Sequence, residues 1–352
     1  MTTLSQRDDG GVTTTPPRIA ATIDELVAGA TSRVVVTPGD ARSGSTFERV
    51  ELAGQRYFLK QLGHRTDWIM RVTGDRDVRT FKIWQAGVMD DAPACIDHAV
   101  VGMAVEGEGE DALLGVLMRD IGASLIPEGD DLISIELHRQ LVDHLAALCA
   151  AFWGWRDDIG LCTMAERLRF FAPDNIAGEL VRVDVSPTLV VARDGWVALE
   201  RRSPLLHELA KAIHADPAPL TTAIAATPAT FLHGDWKMGN LGSHPDGRTI
   251  LIDWAYPGEG PACWDLAWYL ALNRARLPES KEATIEAFRG ALGRYGIDTS
   301  GWFDVQLDLC LLGMAATFGW EKALGDDAEL RWWEAAAERG VDRLAGPGVT
   351  AP

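Results

Sequence analysis

The chain has 352 residues, of which 47% are hydrophobic and 24% charged, a composition that excludes a disordered chain and favours two lobes or domains. The net charge of −18 argues against nucleic-acid binding and favours cationic partners. Five scattered cysteines without a Cys-x-x-Cys pair are typical of reduced thiols rather than of a disulfide scaffold. The N-terminus lacks an apolar signal segment, and the apolar stretches 141–155 and 305–320 are too short to span a membrane. We therefore expect a cytoplasmic protein without a membrane segment.

The first third of the chain is predicted to be rich in strands. Residues 1–18 are polar, contain Thr and Pro, and are predicted to form a disordered tail. Beyond them, β-branched and alternating residues predict strands at 33–37, 46–52, 55–60, 98–105 and 113–118, with helices at 23–30 and 75–87. A turn at Ala53-Gly54 is predicted between the second and third of these strands. An N-terminal lobe over 19–118 follows from this pattern.

After this region the apolar periodicity becomes helical. Helices are predicted at 133–153, 205–214, 220–226, 264–273, 279–295, 305–324 and 328–344. Between them, 240–242 and 249–254 form a predicted hairpin around Asp246-Gly247. The predicted fold class is α+β, with a connector at 119–122 and a mainly helical C-terminal lobe at 123–345.

The most informative segment reads Leu-His-Gly-Asp-Trp-Lys-Met-Gly-Asn-Leu over 232–241 and is followed by Ile-Leu-Ile-Asp-Trp over 250–254. This spacing places Asp235 and Asn240 on one tight loop and returns Asp253 at the end of an apolar strand. Carboxylate and amide oxygens suit Mg²⁺, which binds few protein ligands together with substrate phosphates. The sequence therefore predicts a phosphate and magnesium site here.

These motifs, followed by Gly-Glu-Gly-Pro-Ala-Cys-Trp-Asp-Leu-Ala over 258–267, resemble the aminoglycoside phosphotransferase and choline kinase superfamily. The resemblance covers about 33–340 and implies a two-lobed, protein-kinase-like fold with ATP and Mg²⁺ as cofactors. It also implies transfer of the γ-phosphoryl group of ATP to a hydroxyl of a small molecule. Aminoglycosides, sugars and amino-alcohols all remain candidate acceptors, and the net charge favours a cationic one.

The resemblance assigns the catalytic and metal positions residue by residue. Asp235 matches the aspartate that orients the acceptor hydroxyl and takes its proton, and Lys237 would stabilise charge on the transferred group. Asn240 and Asp253 match the two positions that hold Mg²⁺. Among their neighbours, His233 is expected to pack under the loop rather than act as a base.

Asp265 has two expected roles. It lies where a helix is predicted to begin and can cap that helix. The resemblance also implies that its carboxylate tethers the catalytic loop.

In the N-terminal lobe, Lys60 ends the strand Tyr-Phe-Leu-Lys over 57–60 and resembles the third-strand kinase lysine that faces the nucleotide phosphates. The preceding small-residue loop retains only Gly39 and Gly44 of a glycine-rich motif, and Gly44 is a candidate nucleotide-binding residue. Ser43 and Ser45 are alternative phosphate donors.

Two further predictions concern the surroundings of the nucleotide. Asp77 is either the helix partner of Lys60 or an aspartate that favours a helix N-terminus through the helix dipole. By resemblance, the connector places Met118 behind the adenine, with the backbone C=O of Arg119 and N–H of Ile121 binding its edge.

Three other functions are weighed against a small-molecule kinase. A non-catalytic, nucleotide-binding pseudokinase is the main alternative, because the glycine-rich loop is weakened. A metal hydrolase built from His233, Asp235 and Asp253 is disfavoured, because too few protein ligands are visible. A protein kinase is disfavoured because Asp253 is followed within a dozen residues by the Gly-Pro and Asp-Leu-Ala segment at 258–267. This leaves little chain in which to build a platform for a protein substrate. The oligomeric state is left open.

Overall fold

The computed structural model of the chain describes residues 16–37 and 43–346. Most of the predicted N-terminal tail and Gly39 lie outside the described residues. The end of that tail is anchored, however, because the Arg18 guanidinium lies 3.8 Å from the ring centre of Trp84 and bonds Asp90 at 2.5 Å. The prediction of a tail that extends to residue 18 is therefore wrong at its last residue.

A six-stranded sheet forms the N-terminal lobe in the order β1-β6-β7-β4-β3-β2. Its strands are β1 (Ile19–Ala20), β2 (Ala30–Val36), β3 (Thr46–Leu52), β4 (Gln55–Gly63), β6 (Val100–Glu106) and β7 (Leu113–Arg119). The β1–β6 pair is parallel and the other neighbours are antiparallel. Ala53 and Gly54 both have positive φ, 51° and 74°, and form the predicted two-residue turn between β3 and β4.

Three short helices accompany this sheet: α1 (Ile23–Leu26), α2 (Trp68–Val72) and α3 (Arg79–Gln85). Helix α2 was not predicted, because it is a single turn. It begins where the Asp67 carboxylate accepts hydrogen bonds from the backbone N–H of Ile69 and Met70. Helix α3 begins four residues later than predicted, because Val78 adopts a left-handed conformation at φ 56° and interrupts the helix there.

Helices dominate the C-terminal lobe. They are α4 (Ile135–Ala151), α5 (Met164–Leu168), α6 (Pro173–Leu180), α7 (Pro187–Arg202), α8 (Pro204–Ala215), α9 (Ala218–Ala225), α10 (Cys263–Leu272), α11 (Lys281–Arg294), α12 (Phe303–Lys322) and α13 (Asp327–Ala345). Helix α12 is buried on nearly every face, which is typical of a helix that is apolar all round. It packs against α7, α8, α10 and α13, and so forms the centre of the lobe.

Short strands flank the loops between α9 and α10. Strand β8 (Ala229–Leu232) pairs antiparallel with β11 (Gly258–Pro261). Strands β9 (Leu241–Ser243) and β10 (Thr249–Leu251) form the predicted hairpin, and β5 (Ile96–Asp97) joins it parallel to β10. Since β5 comes from the N-terminal part of the chain, the two lobes share a sheet in addition to the connector.

The predicted α+β class, with a β-rich N-terminal lobe and a mainly helical C-terminal lobe, is confirmed. This architecture places the loop between β8 and β9, and the residues that follow β10, at the junction of the lobes. No helix within the described parts of the chain is both long enough and apolar enough to cross a membrane.

Candidate active site

A cavity of about 380 Å³ lies between the two lobes. Phe58, Val116 and Met118 of the N-terminal sheet are among its apolar lining residues. The polar residues that line it include Lys60, Asp235, Lys237, Asn240 and Asp253. The fold thus brings together side chains from distant parts of the sequence, and every one of these five had been singled out from the motifs.

The connector lines the same cavity. Met118, Arg119 and Ile121 all contribute to its wall, at the positions expected for contacts with an adenine. Arg119 ends β7, and its guanidinium hydrogen-bonds the carboxylate of Asp97 at the end of β5. Burial alone would raise the pKa of Asp97, but the hydrogen bonds from Arg119 and the Ala99 backbone and the charges of Arg119 and Arg248 together outweigh it, and the pKa lies below its usual value. This contact fixes the connector against the strand that joins the lobes.

The loop after β8 is held by Asp265 near the start of α10. The Asp265 carboxylate accepts hydrogen bonds from the backbone N–H of His233 and Gly234, both at 3.0 Å. Burial raises the pKa of Asp265 to about 6, against the opposing effect of the Arg167 guanidinium. The expected tether is present. The expected cap is not, because Asp265 lies within the first turn and Ala262 occupies the N-cap position.

A glycine is required at position 234. Its φ is +83°, and a Cβ atom there would lie 2.2 Å from the carbonyl oxygen of Tyr256 and from the Arg167 guanidinium. Because residue 234 has no side chain, the loop backbone can lie against Tyr256. In this position the N–H groups of His233 and Gly234 both reach the Asp265 carboxylate.

His233 has a structural role, as expected. Its Nδ1 accepts a hydrogen bond from the backbone N–H of Asp235, and its Nε2 donates to the carbonyl of Ile252 at 3.1 Å. Burial lowers the pKa of His233 to about 3, so the imidazole is neutral near pH 7. With both nitrogens committed to backbone groups, this side chain is not positioned to serve as a general base.

The Asp235 carboxylate has donors on both oxygens. The indole Nε1 of Trp268 donates to Oδ1 at 2.8 Å, while the Asn240 amide donates to Oδ2 at 2.7 Å. The Lys237 ammonium also contacts Oδ2, at 2.8 Å. Burial raises the pKa of Asp235, although the Lys237 charge opposes that effect.

Trp268 contacts the candidate catalytic aspartate but was not singled out from the motifs. One signal was available in the sequence. Trp268 follows Asp265 by three residues in a predicted helix, and this spacing places both side chains on the same helical face.

Asp253 follows β10 in a left-handed conformation with φ +60°, which is uncommon for a residue other than glycine. This geometry directs Oδ1 to the Lys60 ammonium at 2.8 Å. Burial alone would raise the pKa of Asp253, but the positive charges of Lys60 and then Lys237 outweigh it, and the pKa lies below its usual value. The carboxylate is therefore ionised near pH 7, as a metal ligand must be.

The hypothesis that Asp77 pairs with Lys60 is wrong. The Asp77 side chain is 73% exposed and contacts the ammonium of Lys82 at 3.3 Å. Because Val78 is left-handed, Asp77 lies outside α3 and is not carried toward Lys60. The carboxylate bound to Lys60 belongs instead to Asp253 of the other lobe.

A second carboxylate near Lys60, that of Asp67, was missed. Asp67 is buried and lines a small pocket together with Ser43, Lys60 and Asp253. Burial raises its pKa, whereas the Ser43 hydrogen bond and the Lys60 charge oppose that rise. Its role as the cap of the unpredicted helix α2 could not be inferred without knowing that the helix exists.

The candidate nucleotide loop is described from residue 43 onward. Ser43 lines the main cavity, and its Oγ lies 3.1 Å from that of Ser45. Gly44 is not among the residues lining that cavity; its φ is +102°, and a Cβ atom there would lie 2.2 Å from the Thr66 carbonyl oxygen. Glycine is thus required at 44 for close packing of the loop against the start of α2.

The residues assigned to the metal provide suitable donor atoms. The amide nitrogen of Asn240 is committed to Asp235, donating both to its backbone carbonyl and to Oδ2. The Asn240 amide oxygen is consequently the atom left to face a cation, and Asp253 contributes a carboxylate. Oxygen donors of this kind fit Mg²⁺.

A larger cavity of about 730 Å³ lies elsewhere, between the 64–76 segment and α6. Its charged groups neutralise one another, for example Arg71 with Glu179 at 2.6 Å. The motif residues do not line it. The smaller cavity between the lobes is therefore the candidate active site.

Comparison with known proteins yields one family. The family model described as the phosphotransferase enzyme family matches residues 42–303, about three quarters of the chain. No curated protein matches the sequence significantly.

Several solved structures are similar in fold at low sequence identity. Choline kinase LicA from Streptococcus pneumoniae is 14% identical with a TM-score of 0.46, covering 92% of this chain and 96% of that one. Amicoumacin kinase hAmiN is 14% identical with a TM-score of 0.49, covering 88% of each chain. A choline/ethanolamine kinase family protein from Mesorhizobium loti is 14% identical with a TM-score of 0.43, covering 92% of this chain and 96% of that one.

Proposed function

We propose that this chain, which belongs to the phosphotransferase enzyme family, moves the γ-phosphoryl group of ATP to a hydroxyl of a small molecule of aminoglycoside, sugar or amino-alcohol type. Family membership confirms the predicted enzyme class, a phosphotransferase with an alcohol group as acceptor. One observation carries the finer proposal. Lys60, Asp235, Asn240 and Asp253 converge on one cavity that also has an apolar wall beside the connector.

The apolar end of the cavity suits a purine. Phe58, Val116 and Met118 would cover its faces, while backbone groups of Arg119 and Ile121 would bind its edge. Bound in this way, the nucleotide directs its phosphates toward Lys60. The resulting orientation places the γ-phosphoryl group at the polar end of the cavity.

Asn240 and Asp253 are the residues that would hold Mg²⁺. When bound, the ion neutralises the phosphate oxygens and orients the leaving group. Lys60 contributes a second cation from the opposite lobe, already within 2.8 Å of Asp253. Together these groups would compensate the charge of the triphosphate.

Asp235 would orient the acceptor. Its carboxylate accepts a hydrogen bond from the acceptor hydroxyl, whose oxygen then attacks the γ-phosphorus while the bond to the β,γ-bridging oxygen breaks. The proton passes to the Asp235 carboxylate and later to solvent, leaving ADP and the phosphorylated alcohol. Burial raises the pKa of this carboxylate and so makes it a better proton acceptor than an exposed aspartate.

The Lys237 ammonium lies where it could contact the phosphoryl group during its transfer. It contacts Asp235 Oδ2 at 2.8 Å and is 37% exposed, so the ammonium can move to the phosphoryl oxygens when they arrive. A preorganised cation at the place where charge develops lowers the barrier.

The same reasoning bears on the partners. The net charge of −18 favours a cationic acceptor such as an amine-bearing alcohol, and it disfavours nucleic acid. The five free thiols suit a reducing compartment such as the cytoplasm.

The test is release of ADP from Mg·ATP with a panel of alcohols: choline, ethanolamine, 1-amino-2-propanol, spectinomycin, hygromycin B and glucose. We expect at least one to accelerate ADP release and to gain a phosphoryl group by mass spectrometry. Asp235→Asn should then reduce kcat by about 10²–10⁴-fold with little change in nucleotide affinity.

The pseudokinase alternative predicts a different result. Mg·ATP would stabilise the protein against heat, yet no alcohol in this panel or a wider one would yield a phosphorylated product. That outcome would contradict the proposed function while leaving nucleotide binding intact.

A further inference from the structure

We propose that Trp268 is a positioning residue that fixes the direction of the Asp235 carboxylate. This inference rests on the proposed role of Asp235 in orienting the acceptor hydroxyl. The indole Nε1 of Trp268 donates to Asp235 Oδ1 at 2.8 Å, and both side chains are buried. A hydrogen bond to a charged acceptor in a low-dielectric site is among the stronger ones in proteins.

Trp268 differs from the other two donors to this carboxylate. Asn240 and Lys237 both contact Oδ2, and each has a second proposed partner, the metal ion for Asn240 and the phosphoryl group for Lys237. At Oδ2 the Lys237 contact is therefore lost when the phosphoryl group arrives, and Asn240, which bonds Oδ2 through its amide nitrogen, is also drawn to the metal through its amide oxygen. The Trp268 bond to Oδ1 has no competing ligand, so it persists and keeps the carboxylate plane in place throughout the reaction.

The position of Trp268 on α10 explains how one helix can hold the whole catalytic loop. Asp265, three residues earlier on the same face, binds the backbone N–H groups of His233 and Gly234. Trp268 then binds the side chain of the next loop residue, Asp235. Helix α10 thus holds both the backbone of the loop and the side chain of Asp235. This helix itself packs against the central helix α12.

The indole ring itself cannot shift readily. Phe318 of α12 packs edge-on against it with ring centres 4.9 Å apart, and Tyr256 lies at 6.1 Å. Phe170 stacks on the same ring at 6.3 Å. Because interiors are close-packed, these neighbours restrict the rotation of the ring and hence the position of its N–H group.

The same helix provides a matched control. Trp264 lies one turn earlier and is fully buried, with its ring in a tight contact with α12 at Gly313. Its Nε1 has no hydrogen-bond partner among the described residues. Replacing either tryptophan by phenylalanine keeps an aromatic ring in the core, but only at 268 does the change remove a bond to Asp235.

The first experiment detects the bond without any ligand or turnover. Indole ¹H–¹⁵N spectra are recorded for the full chain labelled with ¹⁵N-tryptophan, and Trp268→Phe and Trp264→Phe identify the two resonances. Asp235→Ala, which removes the acceptor, should move the Trp268 indole proton upfield and leave the Trp264 resonance in place. A Trp268 resonance that does not respond to Asp235→Ala overturns the proposal.

The second experiment measures the consequence for the reaction, with Mg·ATP and whichever alcohol of the panel is fastest. Trp268→Phe should lower kcat by about 10-fold to 100-fold, the range for loss of a hydrogen bond to a charged group, while KM for ATP changes less than about twofold. Trp264→Phe should lower kcat by less than about threefold. Equal effects of the two variants, or an effect of Trp268→Phe on KM alone, would mean that the tryptophan only packs.

The two experiments also separate this inference from the proposed function. If the wild-type chain phosphorylates no alcohol, the proposed function fails, and the indole spectra alone decide whether Trp268 orients Asp235. If the wild type is active and the two phenylalanine variants behave alike, only the role of Trp268 is refuted.

Discussion

Lys60 in the N-terminal lobe and Asp235 in the C-terminal lobe reach the same cavity, but the contacts that hold them differ. Lys60 extends from a strand and binds Asp253, which belongs to the other lobe. Asp235 is held by Trp268, Asn240 and Lys237, all within its own lobe. The Asp235 side of the cavity is therefore assembled by one lobe alone, whereas the Lys60 side depends on how the two lobes meet.

This difference indicates which part of the site is preorganised. Bonds inside one packed unit are retained whenever that unit is folded, because breaking them means breaking the core. A bond across a cleft can exchange for a ligand, and the Lys60–Asp253 pair occupies the place where phosphates and metal are proposed to bind. We infer that the carboxylate of Asp235 is in position before the nucleotide arrives, while Lys60 is repositioned by it.

The largest expected effect comes from breaking the contact across the lobes at Asp253. Asp253→Ala removes both the partner of Lys60 and a proposed metal ligand. In the wild type, ATP at a hundredfold excess over Kd should add about 2.7 kcal/mol to the free energy of unfolding. We expect Asp253→Ala to abolish the magnesium-dependent part of this gain, measured as the Tm difference between Mg·ATP and ATP with chelator.

A matched control for this prediction is Asp246→Ala. Asp246 lies in the turn of the same hairpin, where it binds Arg248 at the surface. The magnesium-dependent shift should be retained in this variant. If Asp253→Ala also retained it, Asp253 would not belong to the metal site.

The second prediction concerns the free energy of unfolding at acidic pH, to which a buried histidine of the C-terminal lobe should contribute. His214 is buried edge-on against Trp196, and burial lowers its pKa to about 4, aided by Arg169. The unfolded chain binds this proton more readily than the folded one below about pH 6.5, so stability falls as pH decreases toward 4. Between pH 7 and pH 5 the loss from His214 should be about 2 kcal/mol.

Urea unfolding at these two pH values tests this prediction. His214→Phe should remove that part of the pH dependence, whereas His207→Phe on the same helix should keep it. His207 also lies edge-on to Trp196, but its imidazole contacts the carboxylate of Glu208. An identical pH dependence in wild type and His214→Phe would contradict the assignment.

The third prediction is a smaller effect on the stability of the N-terminal lobe, at Asp67. Asp67 caps α2 through Oδ1 and lies close to Lys60 and Ser43. If capping is its main contribution, Asp67→Ala should cost about 1 kcal/mol of unfolding free energy, and Asp67→Asn much less, because asparagine caps as well as aspartate. Equal losses in the two variants would show that the carboxylate charge, rather than the cap, is what the lobe requires.

The smallest expected effect is at Asp77, which is not among the residues that line the cavity between the lobes. Asp77→Ala removes an exposed ion pair with Lys82, a kind of contact that contributes about 0–1 kcal/mol. Turnover should stay within about twofold of wild type, and Asp77→Glu should bring no gain. A loss of turnover as large as that of Lys60→Ala would restore the pairing that the structure contradicts.

The sequence by itself determined the lobe order, the hairpin turns at Ala53-Gly54 and Asp246-Gly247, and the loop that carries Asp235 and Asn240. These features depend on local periodicity, turn residues and short spacings, which act over a few residues and do not require knowledge of the packing. The structural role of His233 and the tether from Asp265 were implied by the resemblance to a known family rather than by local pattern, since the two residues are 32 positions apart.

Only the tertiary structure decided which side chains contact each other across the fold. Lys60 and Asp253 are 193 residues apart, and their pairing depends on how the lobes meet. Asp77 was one candidate partner of Lys60 because a continuous helix was expected over 75–87, but the left-handed Val78 interrupts the helix and leaves Asp77 outside it. Trp268 contacts Asp235 because one face of α10 is turned toward the loop that carries this aspartate. Asp67 lies near Lys60 because the fold places both side chains in one small pocket. Local pattern specifies elements and loops; the partners of a buried polar group are set by the packing of distant elements around it.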